Sequence, residues 1–194
     1  MTTLSDYRDE RLRKLSEIKA LGIDPYPAHS DRNTKISEIL NDFKNFNQKE
    51  VVIAGRITAI RSFGKLAFVK IRDYFGEVQL FMKQTETTTQ GFFSVKNLKL
   101  LDLGDFIEAR GMVGKSQTGE ISVFTNQVRL LTKSLRPLPG RDGFSNKEER
   151  YRRRYVDMNV NPEVRERLVR RSIFWQATRD FMNQHGYIEI NTPI

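Results

Sequence analysis

Two strand patterns joined by a short turn, within residues 51–82, constrain the fold more than any other part of the sequence. In residues 66–72, apolar side chains at the odd positions alternate with Phe68 and two basic side chains, the period of two that is typical of a strand. Residues 77–82 repeat this pattern with apolar side chains at the even positions. The sequence therefore predicts a β-hairpin with one apolar face. Its other face carries Phe68, Lys70, Arg72, Glu77, Gln79 and Phe81.

The aromatic rings on the polar face of this hairpin allow two interpretations. Rings, an amide and guanidinium groups on an open sheet face are the groups that stack unpaired bases, read base edges and hold phosphates. Alternatively, a neighbouring segment covers Phe68 and Phe81, and the rings have only a structural role. The hairpin by itself favours neither interpretation.

Residues 51–131 as a whole show the element order of a small barrel. Gly55 in the first strand permits the strong bend that lets one strand take part in both sheets of such a barrel. An amphipathic helical segment over 92–101 separates the third strand from the fourth. Five strands in this order are those of the OB-fold, whose second and third strands and neighbouring loops bind oligonucleotides. The strands are predicted over 51–62, 66–72, 77–82, 105–113 and 120–131.

Helical patterns lie on both sides of the barrel. Ser5 is a good N-cap and Gly22 a good C-terminal stop for a helix over 5–21, and a second short helix is predicted over 35–41. The predicted fold class is therefore all-β/α+β: a five-stranded OB-fold barrel with an N-terminal helix and a C-terminal helix-strand piece.

Composition and charge limit the chemistry that this chain can perform. The 194 residues include no cysteine and only two histidines, so disulfides, thiolate nucleophiles and ordinary zinc sites are excluded or nearly so. No long apolar run is present that could span a membrane, and the N-terminus lacks the pattern of a signal peptide, which predicts a cytoplasmic location. The net charge of +9 favours a polyanionic partner, although a surplus of lysine also occurs on proteins that bind nothing.

The chain beyond the barrel begins with a proline-containing linker over 135–140. In residues 148–155 arginines and tyrosines interleave, a pattern that suits phosphate binding or packing against another domain, and we favour packing. Asn161 and Pro162 then predict the N-cap and the first turn of a long helix that ends near Gln184. The predicted domains are an N-terminal helical extension (1–50), the OB-fold domain (51–134), a linker (135–160) and the start of a second domain (161–194).

The end of the sequence carries a resemblance to a known family. The long helix is followed by Gly186 and by a strand pattern that ends in Pro193. This helix and strand resemble motif 1 of the class II aminoacyl-tRNA synthetases. The linker residues 130–139 and the block 149–157 resemble lysyl-tRNA synthetases in particular, whereas aspartyl- and asparaginyl-tRNA synthetases share the barrel but not the sequence of these two segments. The resemblance extends over nearly the whole chain.

The resemblance implies an anticodon-binding site on the barrel. Phe68 matches the phenylalanine on which the middle anticodon uridine stacks, and Arg61 and Gln79 match the residues that hydrogen-bond this base. Glu120 matches an acid at the neighbouring anticodon position. The strand patterns independently put Phe68 and Gln79 on the outer face, whereas the orientation of Arg61 depends on where the first strand bends. The implied anticodon-binding residues are Arg61, Phe68, Gln79, Glu120 and, on or beside the same surface, Arg56 and Phe81.

The resemblance also implies a larger enzyme, a lysine-tRNA ligase. Its partners are a tRNA with a lysine anticodon and a second copy of itself, with Gly186 and Pro193 in the motif 1 dimer interface, and its cofactors are ATP and Mg²⁺. No segment of the sequence resembles motifs 2 and 3, which bind ATP and the amino acid in that family. For these 194 residues alone we therefore expect no catalytic residue, no cofactor, no metal and no ligase activity.

A second interpretation remains open, in which the chain is a free-standing OB-fold module that binds single-stranded nucleic acid. The resemblance to motif 1 discriminates between the two, because a free-standing binding module has no use for it. The basic residues of the first helix form either a solvated face or, in the less favoured view, an auxiliary surface for tRNA.

Overall fold

Five β-strands close into a barrel, and the barrel confirms the predicted OB-fold. The strands are β1 (Glu50–Phe63), β2 (Leu66–Arg72), β3 (Glu77–Lys83), β4 (Phe106–Lys115) and β5 (Ile121–Thr132). They pair in the order β1, β2, β3, β5, β4, and β4 pairs with β1 to close the ring. The computed structural model describes residues 4–74, 76–84, 91–140 and 144–192, so Phe75, in the short turn between the second and third predicted strands, lies outside the described part. The chain divides into two compact units, Met1–Pro137 and Leu138–Ile194.

The first strand belongs to both halves of the barrel. Its residues 50–56 pair with β4 and its residues 56–63 pair with β2. A Cβ atom on Gly55 would lie 2.9 Å from the carbonyl oxygen of Arg72, so the absent side chain is what lets β2 approach this closely. A bulge at Thr58, between Ile57 and Ala59, then shifts the alternation of β1 by one residue.

The interior of the barrel is filled by the apolar faces that the strand patterns predict. Ala67, Val69 and Ile71 of β2 are fully buried, and Leu80 of β3 faces the same core. Phe68 lies between them on the opposite, partly exposed face. The period of two in β2 therefore separates a sealed core from an outer surface within a single strand.

Three helices in the first unit flank the barrel: α1 (Leu4–Ala20), α2 (Ile36–Asn41) and α3 (Phe43–Phe46). Gly22 follows α1 in the left-handed conformation, with a φ of 73°, as the predicted C-terminal stop requires. Ile18 of α1 and Ile36 of α2 are fully buried and join the core of the barrel. The N-terminal extension thus packs on the barrel and is part of the same unit.

A group of four charged side chains, the charge cluster of Lys14, Asp102, Asp105 and Lys133, ties α1 to the barrel. The Nζ of Lys133 lies 2.7 Å from Oδ2 of Asp105 and also contacts Asp102, and both Lys133 and Asp105 side chains are fully buried. Lys14 of α1 lies 2.7 Å from the other carboxylate oxygen of Asp102. Beside the cluster, Arg11 donates to the backbone oxygens of Ser134 and Leu103.

The two carboxylates of the charge cluster respond differently to their surroundings. Burial raises the pKa of Asp105, and the attraction of Lys133 opposes this effect without cancelling it. Burial acts in the same direction on Asp102, but the hydrogen bonds from Lys133 and Lys14 outweigh it and hold the pKa of Asp102 below its ordinary value. The neighbouring ammonium group of Lys133 therefore favours the charged form of Asp105, whereas burial disfavours it.

The connection from β3 to β4 differs from the predicted helix over 92–101. The only helical turn in its described residues, 91–105, is a 3₁₀ turn at Leu98–Leu100. Phe93, Val95, Leu98 and Leu100 are all buried against the core. Two pairs of these apolar residues are spaced two apart, which suits irregular or extended chain more than one face of a helix. The prediction of a helix over 92–101 was therefore wrong in the described residues, except for this single turn.

The second unit contains α4 (Lys147–Arg152), α5 (Arg154–Val160) and α6 (Pro162–Gln184). Pro162 occupies the first position of α6, and Gly186 follows its end with a φ of 81°, as predicted. Asn161 stands at the N-cap position, but its side chain accepts no hydrogen bond from α6, and its amide nitrogen donates to Asp157 Oδ1 at 2.7 Å. Hydrogen bonds from Asn161, Arg150 and Arg154 outweigh burial and lower the pKa of Asp157.

The strand predicted after α6 does not form in the described residues 187–192. Ile188 and Ile190 have 85% and 73% of their surface exposed. A strand needs a neighbour for its backbone groups, and the described part of this unit has no strand to offer one. Pro193 lies outside the described residues.

Candidate nucleic-acid interface

A pocket of about 560 Å³ lies on the outer face of the barrel, over β1, β2, β3 and β5. Its volume is within the range of ordinary ligand pockets, about 300–1,000 Å³. Most of the predicted contact residues line it: Arg61, Phe68, Gln79, Phe81 and Glu120. The structure thus brings together side chains from three strands and the β4–β5 hairpin, which we call the barrel pocket.

Strand register aligns the pocket residues in a row across the sheet. Arg61 of β1 stands opposite Phe68 of β2, Phe68 stands opposite Phe81 of β3, and Phe81 stands opposite Phe124 of β5. The ring centroids of Phe68 and Phe81 are 5.3 Å apart and those of Phe81 and Phe124 are 5.2 Å apart. We call Phe68, Phe81 and Phe124 the aromatic row. It forms an apolar strip with a guanidinium group at one end.

Arg61 reaches this row because of the bulge at Thr58. Before the bulge, the odd-numbered residue Ile57 faces the core, whereas after it the even-numbered Ile60 pairs with the buried Val69. Arg61, next in the chain, therefore lies on the outer face. Without the extra residue, the same side chain would point into the barrel.

Gln79 lies on the outer face as predicted, but it is mostly buried at the floor of the pocket. Only 8% of its surface is exposed, and its amide nitrogen donates to Ser122 Oγ at 3.1 Å. Ser122 in turn donates to the backbone oxygen of Glu120 at 3.1 Å. The parallel neighbour β5 thus covers one side of Gln79 and fixes the orientation of its amide.

Glu120 stands at the rim of the pocket and forms an ion pair with Lys70. Its Oε1 lies 2.9 Å from the Nζ of Lys70, and both side chains are about two-fifths exposed. Lys70 stands opposite Gln79 in the strand register, one row below the aromatic row. An exposed pair of this kind contributes at most about 1 kcal/mol, so a ligand can displace either partner at low cost.

Arg56 does not line the barrel pocket. It stands opposite Arg72 on β2 and Phe106 on β4, and its guanidinium carbon lies 4.4 Å from the centroid of the Phe106 ring. Burial, and then the neighbouring charge of Arg72, lower the pKa of Arg56. Its stacking on Phe106 gives Arg56 a structural contact within the barrel.

Several pocket residues were missing from the sequence prediction: Phe63, Lys115, Phe124 and the hairpin residues 116–118. Phe63 follows Arg61 on the outer side of β1, and its ring centroid is 6.2 Å from that of Phe68. Phe124 enters the pocket because β3 and β5 pair in parallel, a contact between segments that no hairpin joins. An aromatic residue in a polar stretch of β5 was the one available signal.

The basic side chains of α1 are largely engaged within the protein. Arg13 pairs with Glu10 and Glu17 on the same helix, Lys14 belongs to the charge cluster, and Arg11 is buried against the barrel. These contacts favour a structural role for this face of the helix.

The described residues contain no cluster of acidic, histidine or cysteine side chains that could hold a metal ion. Among the described helices, none combines the length and the apolar character needed to cross a bilayer. The side chains that line the barrel pocket are rings, amides, hydroxyls and charged groups, which suit stacking and hydrogen bonding.

The closed five-stranded barrel and the pocket on its outer face define an OB-fold domain. Residues 51–131 match the family model described as OB-fold nucleic acid binding domain, and residues 146–194 match the model described as tRNA synthetases class II (D, K and N). Three relatives carry the name lysine-tRNA ligase. The protein of Carboxydothermus hydrogenoformans is 44% identical over 185 residues, and that of Thermoanaerobacter pseudethanolicus is 40% identical over 186 residues. The protein of Porphyromonas gingivalis is 36% identical over 206 residues.

These matches cover 95% of this chain for the first two relatives and 98% for the third. The two family models match successive parts of the chain, and each of the three relatives aligns with both the barrel and the helices that follow it. The chain belongs to the class II tRNA synthetases, within the lysine-tRNA ligase family. It spans about 37% of the length of the first two relatives and 36% of the third.

Proposed function

We propose that this chain is the anticodon-binding portion of a lysine-tRNA ligase and that the barrel pocket reads the middle base of the tRNA anticodon. Phe68 stacks on the base, and Gln79 and Arg61 bind its edge. The complete enzyme would use ATP and Mg²⁺ to attach lysine to this tRNA during protein synthesis. The proposal implies that the protein is located in the cytoplasm, where its tRNA is.

One observation carries the proposal: an exposed guanidinium group, a partly exposed ring and an immobilised amide meet in one pocket. An unpaired base presents a flat face and a hydrogen-bonding edge, so it needs a ring and polar groups at right angles to each other. Phe68 supplies the ring, whereas Gln79 at the pocket floor and Arg61 at its side supply the polar groups. Because Ser122 holds the amide of Gln79, little conformational freedom is lost when a base binds.

Gln79→Ala is expected to reduce base discrimination more than affinity. A base-edge contact of this kind is worth about 1–3 kcal/mol of discrimination, because the wrong base leaves buried polar groups unpaired. The measurement is a titration of anticodon stem-loops that carry a middle uridine or a middle cytidine. The wild-type chain should prefer uridine, and Gln79→Ala should lose most of this preference.

The control for this experiment is Gln127→Ala, which removes an amide from β5 outside the barrel pocket. It should leave the preference for uridine unchanged. Equal affinity of the wild-type chain for the two loops would contradict anticodon reading and would leave a general single-strand binder, the alternative function.

Binding of the stem-loop is expected to weaken as salt increases. Each phosphate contact releases counterions, so the logarithm of the affinity should fall linearly with the logarithm of the salt concentration, by about 0.7 per contact for a single strand. Lys115 lies at the pocket rim, and Lys115→Ala should make the slope shallower by about that amount if it holds a phosphate.

Arg13→Ala is the matched control, since Arg13 is paired with Glu10 and Glu17 and lies on α1. It should not alter the slope. A wild-type affinity that is independent of salt would show that the charge of +9 has no role in binding a polyanion.

The homodimer of the complete enzyme is also part of the proposal. Support comes from α6, where the large apolar residues Ile173, Phe174 and Phe181 have 57–63% of their surface exposed. A monomer that is stable in water seldom exposes several such residues on one helix. In the complete protein, we propose that a second copy and the rest of the catalytic domain cover them.

A further inference from the structure

Phe124, at the β5 end of the aromatic row, takes no part in the reading of the middle base described above. Phe124 has 37% of its surface exposed, although phenylalanine is one of the residues most often buried. It lines the barrel pocket together with Phe68, and Phe81 lies between the two rings. The barrel pocket therefore has a second ring that is open to a ligand.

The ring of Phe124 occupies the space that a side chain at Gly114, on the neighbouring strand β4, would need. A Cβ atom on Gly114 would lie 2.8 Å from Cε2 of Phe124, so any larger residue there would have to displace the ring. A glycine thus lies directly beside an exposed phenylalanine. The missing side chain at Gly114 is what lets the ring lie this close to β4.

The geometry of the aromatic row leaves ring faces available. The planes of Phe81 and Phe124 make an angle of 55°, and those of Phe68 and Phe81 make an angle of 64°. Rings at such angles are not stacked in parallel, so Phe81 can cover one face of Phe68 and of Phe124 only in part and leaves the opposite face of each uncovered by this contact. A flat base can therefore stack on Phe124 while another base occupies Phe68.

We propose that Phe124, seated on Gly114, is a second stacking platform for the unpaired base next to the one that Phe68 holds. This inference rests on the proposed function for the identity of the RNA loop. It makes the barrel pocket a site for two bases: one is read by Gln79 and Arg61, and the other is held by stacking on Phe124. Stacking tolerates any base, so this second position contributes affinity more than discrimination.

The test compares four anticodon stem-loops: the intact loop, and loops with an abasic nucleotide at the first, second or third anticodon position. Phe124→Ala in the 194-residue chain should weaken binding of the intact loop by roughly 5- to 150-fold. The loops that are abasic at the first or the third position each lack one neighbour of the middle base. For one of these two loops, Phe124→Ala and the wild type should have the same affinity, since the base that Phe124 holds is already absent. Equal weakening for all four loops, or no weakening of the intact loop, would overturn the proposal.

Two further variants separate stacking from packing. Phe124→Tyr keeps a flat ring and should retain affinity, whereas Phe124→Leu keeps an apolar side chain without a ring and should behave like Phe124→Ala. Tyr7→Ala removes an exposed ring from α1, outside the pocket, and should have no effect. If Phe124→Leu binds the intact loop like the wild type, the role of Phe124 is apolar packing and the proposal fails.

Gly114→Ala tests the seat of the ring without removing it. It should weaken binding of the intact loop in the wild-type background and have no further effect in the Phe124→Ala background, because it acts only through the ring. Additive effects of the two substitutions would contradict this link. The preference for a middle uridine provides the separate readout of the proposed function: its absence would refute anticodon reading even if Phe124 stacks on a base.

Discussion

Lys133→Ala is expected to lower the free energy of unfolding of the barrel unit by about 3–5 kcal/mol, the usual cost of leaving a buried charge without its partner. The Lys133 side chain is fully buried and contacts both Asp102 and Asp105. Asp102 would keep Lys14, but Asp105 would keep only hydrogen bonds from backbone amides. Since burial already raises the pKa of Asp105, its carboxylate would take up a proton more readily in the variant.

Urea unfolding followed by far-ultraviolet circular dichroism measures this effect. The single tryptophan, Trp175, lies in the second unit, so its fluorescence would report on the wrong part of the chain. Lys14→Ala is the comparison, because Lys14 contacts Asp102, which would keep Lys133 as its partner, so the loss should be smaller than for Lys133→Ala. The double variant Lys133→Met with Asp105→Leu should recover most of the loss, since apolar residues of similar size can replace a buried pair. Equal costs for Lys133→Ala and Lys14→Ala would contradict this account.

The barrel was predictable from sequence because hairpins are local. The alternation in residues 66–72 predicted β2 with its observed ends, and β3 extends only one residue beyond its prediction. The side-chain period of a strand decides which face each residue occupies, and the next strand follows within a few residues. The strand pattern alone was therefore enough to assign Phe68 to the outer face.

The orientation of Arg61 could not be assigned in the same way. A bulge adds one residue to a strand and reverses the face of every residue beyond it, and nothing in the residues around Thr58 marks its position. Gly55, the residue expected to bend β1, allows a close contact with Arg72 but lies three residues before the bulge. The resemblance to a known family, rather than periodicity, had supplied Arg61.

The parallel pairing of β3 with β5 explains the remaining differences at the pocket. It buries Gln79 against Ser122 and brings Phe124 beside Phe81, and both effects join segments about forty residues apart. Local patterns predict which face a residue occupies, but not which distant strand lies next to it. Sequence reasoning therefore found the hairpin half of the pocket and missed the half that β5 contributes.

Phe68→Ala is expected to weaken binding of the anticodon stem-loop by about 1–3 kcal/mol, because a stacked base contributes this much per aromatic side chain. Its effect on the stability of the barrel should stay below the cost of truncating a fully buried phenylalanine, about 3–5 kcal/mol. The ring is only partly buried and contacts Phe63 and Phe81 through ring edges, and such contacts contribute about 0.5–1.5 kcal/mol each. If Phe68 instead had only a packing role, the same substitution would cost about 3–5 kcal/mol in folding and would leave the affinity of the folded chain unchanged.

Ile71→Ala is the matched control, because Ile71 lies on the same strand with its side chain fully buried on the opposite face. It should lower the free energy of unfolding by about 2–5 kcal/mol while the folded protein binds RNA normally. We therefore expect opposite results for the two variants. Stem-loop titration, at a temperature where both proteins are folded, should show the larger loss for Phe68→Ala, and urea unfolding should show the larger loss for Ile71→Ala. A Phe68→Ala variant that is as unstable as Ile71→Ala and binds the stem-loop like the wild type would show that the aromatic row packs the barrel and does not hold a base.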